Sequence, residues 1–495
     1  MDDKKLAAQK AASDAKYIRM TTEPVEKLVA QLSVPTIISM LVTAFYNLAD
    51  TFFVRQLESD SMIAAVGIVY PLMAIIQSFG FFCGHGSGNY ISRAFGRRDY
   101  SDAETMAATG FGYAVIFGLI ICVFGTAFKA PLVTLLGAKT EAAASATADY
   151  MKWILIAAPF MTGAIVMNNQ LRMQGNAFFA MIGLTSGSVL NLILDPIFIF
   201  KRGDTLFGGA ITVPFGIGMG VGGAALATCL SQIISFAVLA GGIHFSDNIK
   251  IHIRSFSIKP YYLKGIAQGG FPSLVRQGLA SIATTTLNHA VGLYITSGEM
   301  IDAVQAAMTG VSKLMNFAAS ALIGFGQGFQ PVCGFNYGAK RYDRVRGSYY
   351  FCFKLSFAVL VVLSALGFIF AKPITVALAG SSELAQSIAA FTLRAQLSIF
   401  PLMSWVTLTN MMLQNIGMTG RATLIAMTRQ GLTFMPCVLL LPLIVQLFGA
   451  EPVVGLELAQ LFADAFAFAI ALPIGLKVLN DMKKAGTGEM QNAEM

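Results

Sequence analysis

The chain has 495 residues, of which 55% are hydrophobic and only 12% charged, with a formal net charge of +8. A soluble domain carries roughly 25% charged residues because much of its exterior faces water. This composition therefore excludes an ordinary soluble enzyme and makes lipid the main solvent. The basic excess does not point to nucleic acid, since the Lys and Arg residues fall in short gaps between apolar runs.

In chain order, residues 1–27 are polar and mixed in charge, and read as a cytoplasmic N-terminal tail rather than a cleaved leader. A helical crossing needs about 20 apolar residues. Twelve such stretches follow, at 28–56, 61–92, 105–128, 143–169, 175–200, 216–245, 266–297, 303–335, 348–371, 385–413, 422–448 and 452–478. They predict an N-lobe over 28–245, a cytoplasmic linker over 246–265, a C-lobe over 266–478 and a cytoplasmic C-terminal tail over 479–495. The linker alternates apolar and polar residues through Ile249-Lys250-Ile251-His252-Ile253-Arg254, as a segment lying along the inner surface would. The outer gaps hold only Arg55, Lys129, Lys139, Lys201, Arg202 and Lys372, against a much larger basic set in the inner ones. That bias puts both termini in the cytoplasm. The six cysteines all sit in apolar stretches without paired spacing, and read as small hydrophobes.

The chain also repeats itself. Pro35 recurs as Pro272, Asn47 as Asn288, Gly84, Gly86 and Gly88 as Gly324, Gly326 and Gly328, Pro131 as Pro373, Pro159 as Pro401, and Pro196 as Pro436. All offsets lie between 237 and 242, and the loop Gly96-Arg97-Arg98-Asp99-Tyr100 returns as Gly338-Ala339-Lys340-Arg341-Tyr342. The expected fold is an all-α polytopic membrane protein, twelve transmembrane helices in two pseudo-symmetric six-helix bundles. Six is even, so both bundles insert the same way round, and halves so arranged can rock about a central cavity.

Intramembrane carboxylates are expensive, and Asp50 and Asp195 stand out. Each has an asparagine three or four residues earlier, Asn47 or Asn191, on the same helix face. Each also lies about five residues, or roughly 8 Å, from the outer end of its helix. Burial and mutual repulsion both disfavour full ionisation, so such a pair takes up a proton or a hard cation with added oxygen ligands. Pro196 gives no N–H to the Leu192 carbonyl, which is left free to help ligate. The bland alternative is that each Asp caps or bonds a neighbouring helix. Val291, Gly431 and Met435 stand at the second-half counterparts of Asp50, Asn191 and Asp195, so any ion site belongs to the first half. Gln170, Gln174, Arg276, Asn288 and Asn410 are possible cavity residues or helix-to-helix bonds, and Asp464 is a possible partner of Arg276 or Lys313. Gly218-Met219-Gly220-Val221-Gly222-Gly223 fits a dinucleotide pattern but follows no strand, and no Walker lysine motif is present. An intramembrane enzyme reading finds no H-E-x-x-H, G-x-S-x-G or paired catalytic aspartates to rest on.

These motifs together resemble the MATE family, the multidrug and toxic compound extrusion transporters, and more closely its bacterial MepA-like branch. The resemblance rests on Leu32-Ser33-x-Pro35, Tyr46-Asn47-x-x-Asp50-Thr51, Asn191-x-x-x-Asp195-Pro196, Gly220-x-x-Gly223-Ala224-Ala225-x-Ala227-Thr228 and Gly270-x-Pro272-x-x-x-Arg276-Gln277. It implies a non-enzymatic secondary antiporter in a bacterial cell membrane, exporting amphipathic, often cationic compounds against inward H⁺ or Na⁺. It further implies a cation site at Asp50, Asn191, Asp195 and Thr228, supported by Asn47 and Pro196, with no structural metal and no cofactor beyond the coupling ion. Small molecules and membrane lipid are the expected partners, not nucleic acid, and a monomer is the expected state. The C-lobe departs from branches that place a Glu and an Asp there. The alternative within the superfamily, a flippase for lipid-linked precursors, usually brings extra spans and several cavity arginines, and this chain offers essentially Arg276.

Overall fold

The computed structural model describes residues 2–57, 59–138, 140–206, 211–245, 249–378 and 382–486. Helix accounts for nearly all of it, as expected where lipid offers no partner for backbone polar groups and each segment must satisfy its own. The helices are α1 (Asp2–Thr22), α2 (Val25–Arg55), α3 (Asp60–Gly96), α4 (Tyr100–Ala127), α5 (Lys129–Leu135), α6 (Glu141–Met173), α7 (Ala177–Ile199) and α8 (Val221–Phe245). They continue as α9 (Pro260–Tyr294), α10 (Gly298–Gly338), α11 (Tyr342–Ile369), α12 (Ala371–Leu378), α13 (Glu383–Ile399), α14 (Met403–Ile416), α15 (Thr419–Met427), α16 (Phe434–Leu447) and α17 (Pro452–Gly486). One small exception to the all-α expectation lies between α7 and α8, where β1 (Thr205–Leu206) pairs antiparallel with β2 (Ile211–Thr212).

Among the described residues, ten helices are long and apolar enough to cross a membrane. The two remaining predicted spans are α9 and the α13–α14 run. The first carries Ser273, Arg276, Gln277, Thr284, Thr285, Thr286, Asn288 and His289 along its length. The second is divided at Pro401 by a 3₁₀ turn, Phe400–Leu402, because proline removes one helical hydrogen bond and crowds the preceding turn. Its first-half counterpart, Pro159, lies inside an unbroken α6.

The chain divides into two compact units, residues 1–20 with 34–270 and residues 21–33 with 271–495. In the first unit α6 is central, packed on α3, α4, α7 and α8. The approach of α3 is set by Gly80, Gly84 and Gly88, spaced four apart. A Cβ on them would come within 2.8–2.9 Å of Ile165, Asn169 and Met173, which are spaced four apart on α6. Small residues on one helix against a row of larger ones on the next give the close backbone approach that drives association in lipid. The expected N-terminal tail contains α1, with Ser13 and Met20 buried. It is held on the first unit by Tyr100, which donates to Asp14 Oδ1 at 2.7 Å, and by Arg98 over the Tyr17 ring at 4.1 Å.

In the second unit α17 packs on α11, α13, α14 and α16, and Ala459, Ala463, Val438, Ala389 and Leu393 lie in its apolar core. The sequence repeat reappears in local geometry. Arg98 and Lys340 both take left-handed backbone, at φ 59° and 57°. Asn168 donates to the Ala180 carbonyl and Asn410 to the Ala422 carbonyl, each at 2.7 Å. Of the six cysteines, five are buried and Cys122 is partly so, and none is paired.

A buried carboxylate site in the first unit

Two helices build the centre of the site. On α7, Asn191 and Asp195 are one turn apart and buried. The Asn191 amide donates both to Asp195 Oδ1 and to Thr228 Oγ1 on α8, each at 3.3 Å. Thr228 reaches Asn191 because α8 comes in tightly: a Cβ on Gly223 would stand 2.3 Å from the Phe198 carbonyl oxygen at the end of α7. Pro196 lies inside α7 without ending it. The third helix is α2, whose Asp50 lies close enough to Asp195 for the two charges to act on each other. Tyr46 on α2 and Tyr150 on α6 lie within electrostatic reach of both carboxyls. The side chain of Asn47 lies outside the described residues.

Three oxygens in this cluster, Asp50 Oδ1, Asp195 Oδ2 and Asn191 Oδ1, are buried with no hydrogen-bond partner among the described residues. Burying an acceptor without a donor costs free energy, and burying an unaccompanied carboxylate costs more. A set made of acceptors alone is completed by a species that brings positive charge: a proton shared between the carboxyls, or a hard monovalent cation ligated by oxygens. The residues present fit either one. Sequence reasoning passed over two neighbours here. Tyr46 precedes Asp50 by one helical turn and was legible by the spacing that singled out Asn47, whereas Tyr150 comes from another helix and carried no sequence signal.

The other polar candidates are placed variously. Gln170 is buried and donates to Ser87 Oγ and to the Ala107 carbonyl, both at 3.0 Å, tying α6 to α3 and α4. Gln174 accepts from the Ile249 N–H at 2.8 Å and so anchors the segment after α8. Asn410 is buried and spent on Ala422 and on Gln414, whose amide donates to it at 2.7 Å. Asn288 is exposed on α9. Arg276 is half-buried and within electrostatic reach of Arg429. Asp464 pairs with neither Arg276 nor Lys313, the partners expected for it. Its Oδ1 accepts from Arg429 Nε at 3.0 Å and from Gln460 Nε2 at 2.8 Å. Arg429 reaches it from the π-helical turn Thr428–Leu432 joining α15 to α16.

Membrane-length helices in two units, with a buried carboxylate pair inside one of them, define a multi-pass helical membrane protein. The MatE family model matches residues 35–197 and again 272–439, one match for each half of the repeat, and the chain belongs to that family. A curated relative, the multidrug export protein MepA of Staphylococcus aureus (strain MRSA252), is 29% identical over 318 residues. That alignment takes in 63% of this chain and 65% of the relative's length. The MepA of Staphylococcus haemolyticus (strain JCSC1435) is 26% identical over 442 residues, 86% of this chain and 89% of that protein. A crystal structure of MATE in complex with MaL6 superposes with a TM-score of 0.82 at 26% identity, covering 94% of this chain and 99% of that one.

Proposed function

We propose that this protein is a secondary efflux transporter of a bacterial cell membrane, with both termini cytoplasmic, exporting amphipathic and often cationic compounds in exchange for H⁺ or Na⁺. The observation that carries the reading is the cluster of three buried acceptor oxygens on Asp50, Asn191 and Asp195, without hydrogen-bond partners among the described residues. A ligand shifts a conformational equilibrium only through differential affinity for the two states. Ion occupancy of this cluster supplies such a difference: the filled site is satisfied, whereas the empty one leaves carboxylates unaccompanied in a low-dielectric interior. Thr228 and Asn191 hold Asp195 in place, and Pro196 leaves the Leu192 carbonyl available as a further ligand.

The relatives named as multidrug export proteins support small amphipathic molecules as cargo, and the Lys and Arg distribution supports the orientation. The protein acts as a monomer in lipid, needs no cofactor beyond the coupling ion, and does not engage nucleic acid. The test is transport in proteoliposomes under separately imposed pH and sodium gradients. Substrate movement driven by one gradient and not the other names the ion. Substrate movement driven by neither removes the proposal.

A further inference from the structure

The second unit contains a carboxyl that the site above does not use. Glu457 on α17 is 6% exposed, and it has no hydrogen-bond or ion-pair partner among the described residues. It lies five residues after Pro452, where α17 begins, about 8 Å along the helix axis. That is the depth expected for Asp50 and Asp195 in their own helices. The stretch of α17 around it buries Val453, Leu456, Ala459 and Ala463 in the unit's apolar core. Glu457, Gln460 and Asp464 are three and then four residues apart, so they share one helix face. On that face Gln460 donates to Asp464 Oδ1 at 2.8 Å, and Arg429 occupies the same oxygen at 3.0 Å. Asp464 is thereby matched by a cation, and Glu457 is left without one.

A Cβ on Gly455 would stand 2.4 Å from the Pro442 nitrogen, so α17 is seated tightly on α16 within half a turn of Glu457.

We infer that the second unit carries its own proton-binding carboxyl at Glu457, facing the membrane side at which α17 begins and backed by Gln460 and the Asp464–Arg429 pair. The inference rests on the transport reading for its use, and on the local geometry for its existence. The reaction is uptake and release of one proton by a carboxylate. A proton removes the charge that apolar surroundings penalise, and among the described residues no cation pairs with Glu457 to do so instead. Glu451, in the segment leading into α17, is the charged group that acts on Glu457. Of the elements packed on α17, α14 has no titratable side chain and α16 has only Cys437. On α13, Glu383 is exposed and Arg394 is engaged with the Phe368 carbonyl. Arg421 of α15 and the α11 residues Tyr342 to Tyr350 lie in the opening turns of their helices, and Lys354 lies near the middle of α11.

The test is pH-difference infrared spectroscopy on the full-length protein in lipid, without substrate, read at the carboxylic C=O stretch and paired with pH-driven transport. A protonated-carboxyl band lost in Glu457→Gln, and retained but displaced in Glu457→Asp, is the expected result, together with a smaller proton-to-substrate ratio in the Gln variant. An unchanged carboxyl spectrum in well-folded Glu457→Gln overturns the inference. If the band disappears in that variant while the wild type transports nothing under any gradient, the carboxyl stands and the transport reading falls.

Discussion

Replacing Asp195 with Asn separates coupling from folding. The Asp195 Oδ1 accepts one long hydrogen bond, from Asn191 at 3.3 Å, and Oδ2 has no partner among the described residues. Losing the first costs about 1 kcal/mol, and replacing a buried carboxyl by a neutral amide returns a comparable amount. Stability should therefore change by less than about 1 kcal/mol, a melting shift of about 2–4 °C at most. Coupling should respond far more strongly. Each proton exchanged across a one-unit pH gradient supplies about 1.4 kcal/mol, a tenfold concentration ratio. A pair that carries one proton sustains a ratio of about ten, and one that carries two sustains about a hundred. Asp195→Asn removes one titrating carboxyl, so the steady-state ratio should fall about tenfold, with equilibrium substrate binding largely retained. The assay is substrate accumulation in inverted vesicles at a clamped pH gradient, with membrane yield and thermal melting as controls. An undiminished ratio in well-folded Asp195→Asn refutes the reasoning, because the driving proton or ion would then bind elsewhere.

Three further outcomes follow from packing. Gly86→Leu should lower the melting temperature and membrane yield, since a Cβ there would stand 2.2 Å from the Ile266 carbonyl oxygen, and overpacking of this kind costs about 1–3 kcal/mol or more. Asn168→Ala should cost about 1–3 kcal/mol in thermal unfolding by leaving the Ala180 carbonyl without its donor, and Asn410→Ala should cost more, because it strands both the Ala422 carbonyl and the Gln414 amide. Arg429→Gln should destabilise more than the double variant Arg429→Gln with Asp464→Asn, since removing one partner strands a buried carboxylate whereas removing both does not; additive melting shifts in the double-mutant cycle would show that the pair does not interact.

The architecture was legible before the structure because lipid makes sequence unusually informative: a span must be long, apolar and internally hydrogen-bonded. The prolines and glycines exposed the duplication because their backbone roles recur with the fold. Arg98 and Lys340, neither of them glycine, share a left-handed conformation at matching turns. The departures have local causes. Residues at the amino end looked like a tail because they are polar, yet α1 buries Ser13 and Met20 and docks through Tyr17 and Asp14. The run from 385 to 413 reads as one apolar span but is divided at Pro401, whereas Pro159 at the matching place is absorbed within α6. Proline's effect depends on what neighbouring helices supply to the freed carbonyl, and a single chain does not display that. Arg429 falls within the expected span 422–448, and the π-helical turn there brings it to Asp464 on α17.

The site itself illustrates how a duplicated scaffold separates backbone from chemistry. Asp50, Asn191 and Asp195 could be found because carboxylates inside apolar runs demand an explanation and because each had an amide on the same helix face. Their assembly depends on Gly223 letting α8 close on α7, and Gly455 performs the same service for α17 on α16. Val291 and Met435 stand at the second-half equivalents of Asp50 and Asp195, so the backbone plan repeats where the acids do not. Both units nonetheless set a glycine close against a neighbouring helix backbone. In the first unit Thr228 of α8 accepts from Asn191 on α7; in the second Gln460 donates to Asp464 on its own helix. The two units therefore present unlike polar sets on like backbones, so exchange of Asp195 and of Glu457 should perturb proton binding independently, each through its own unit.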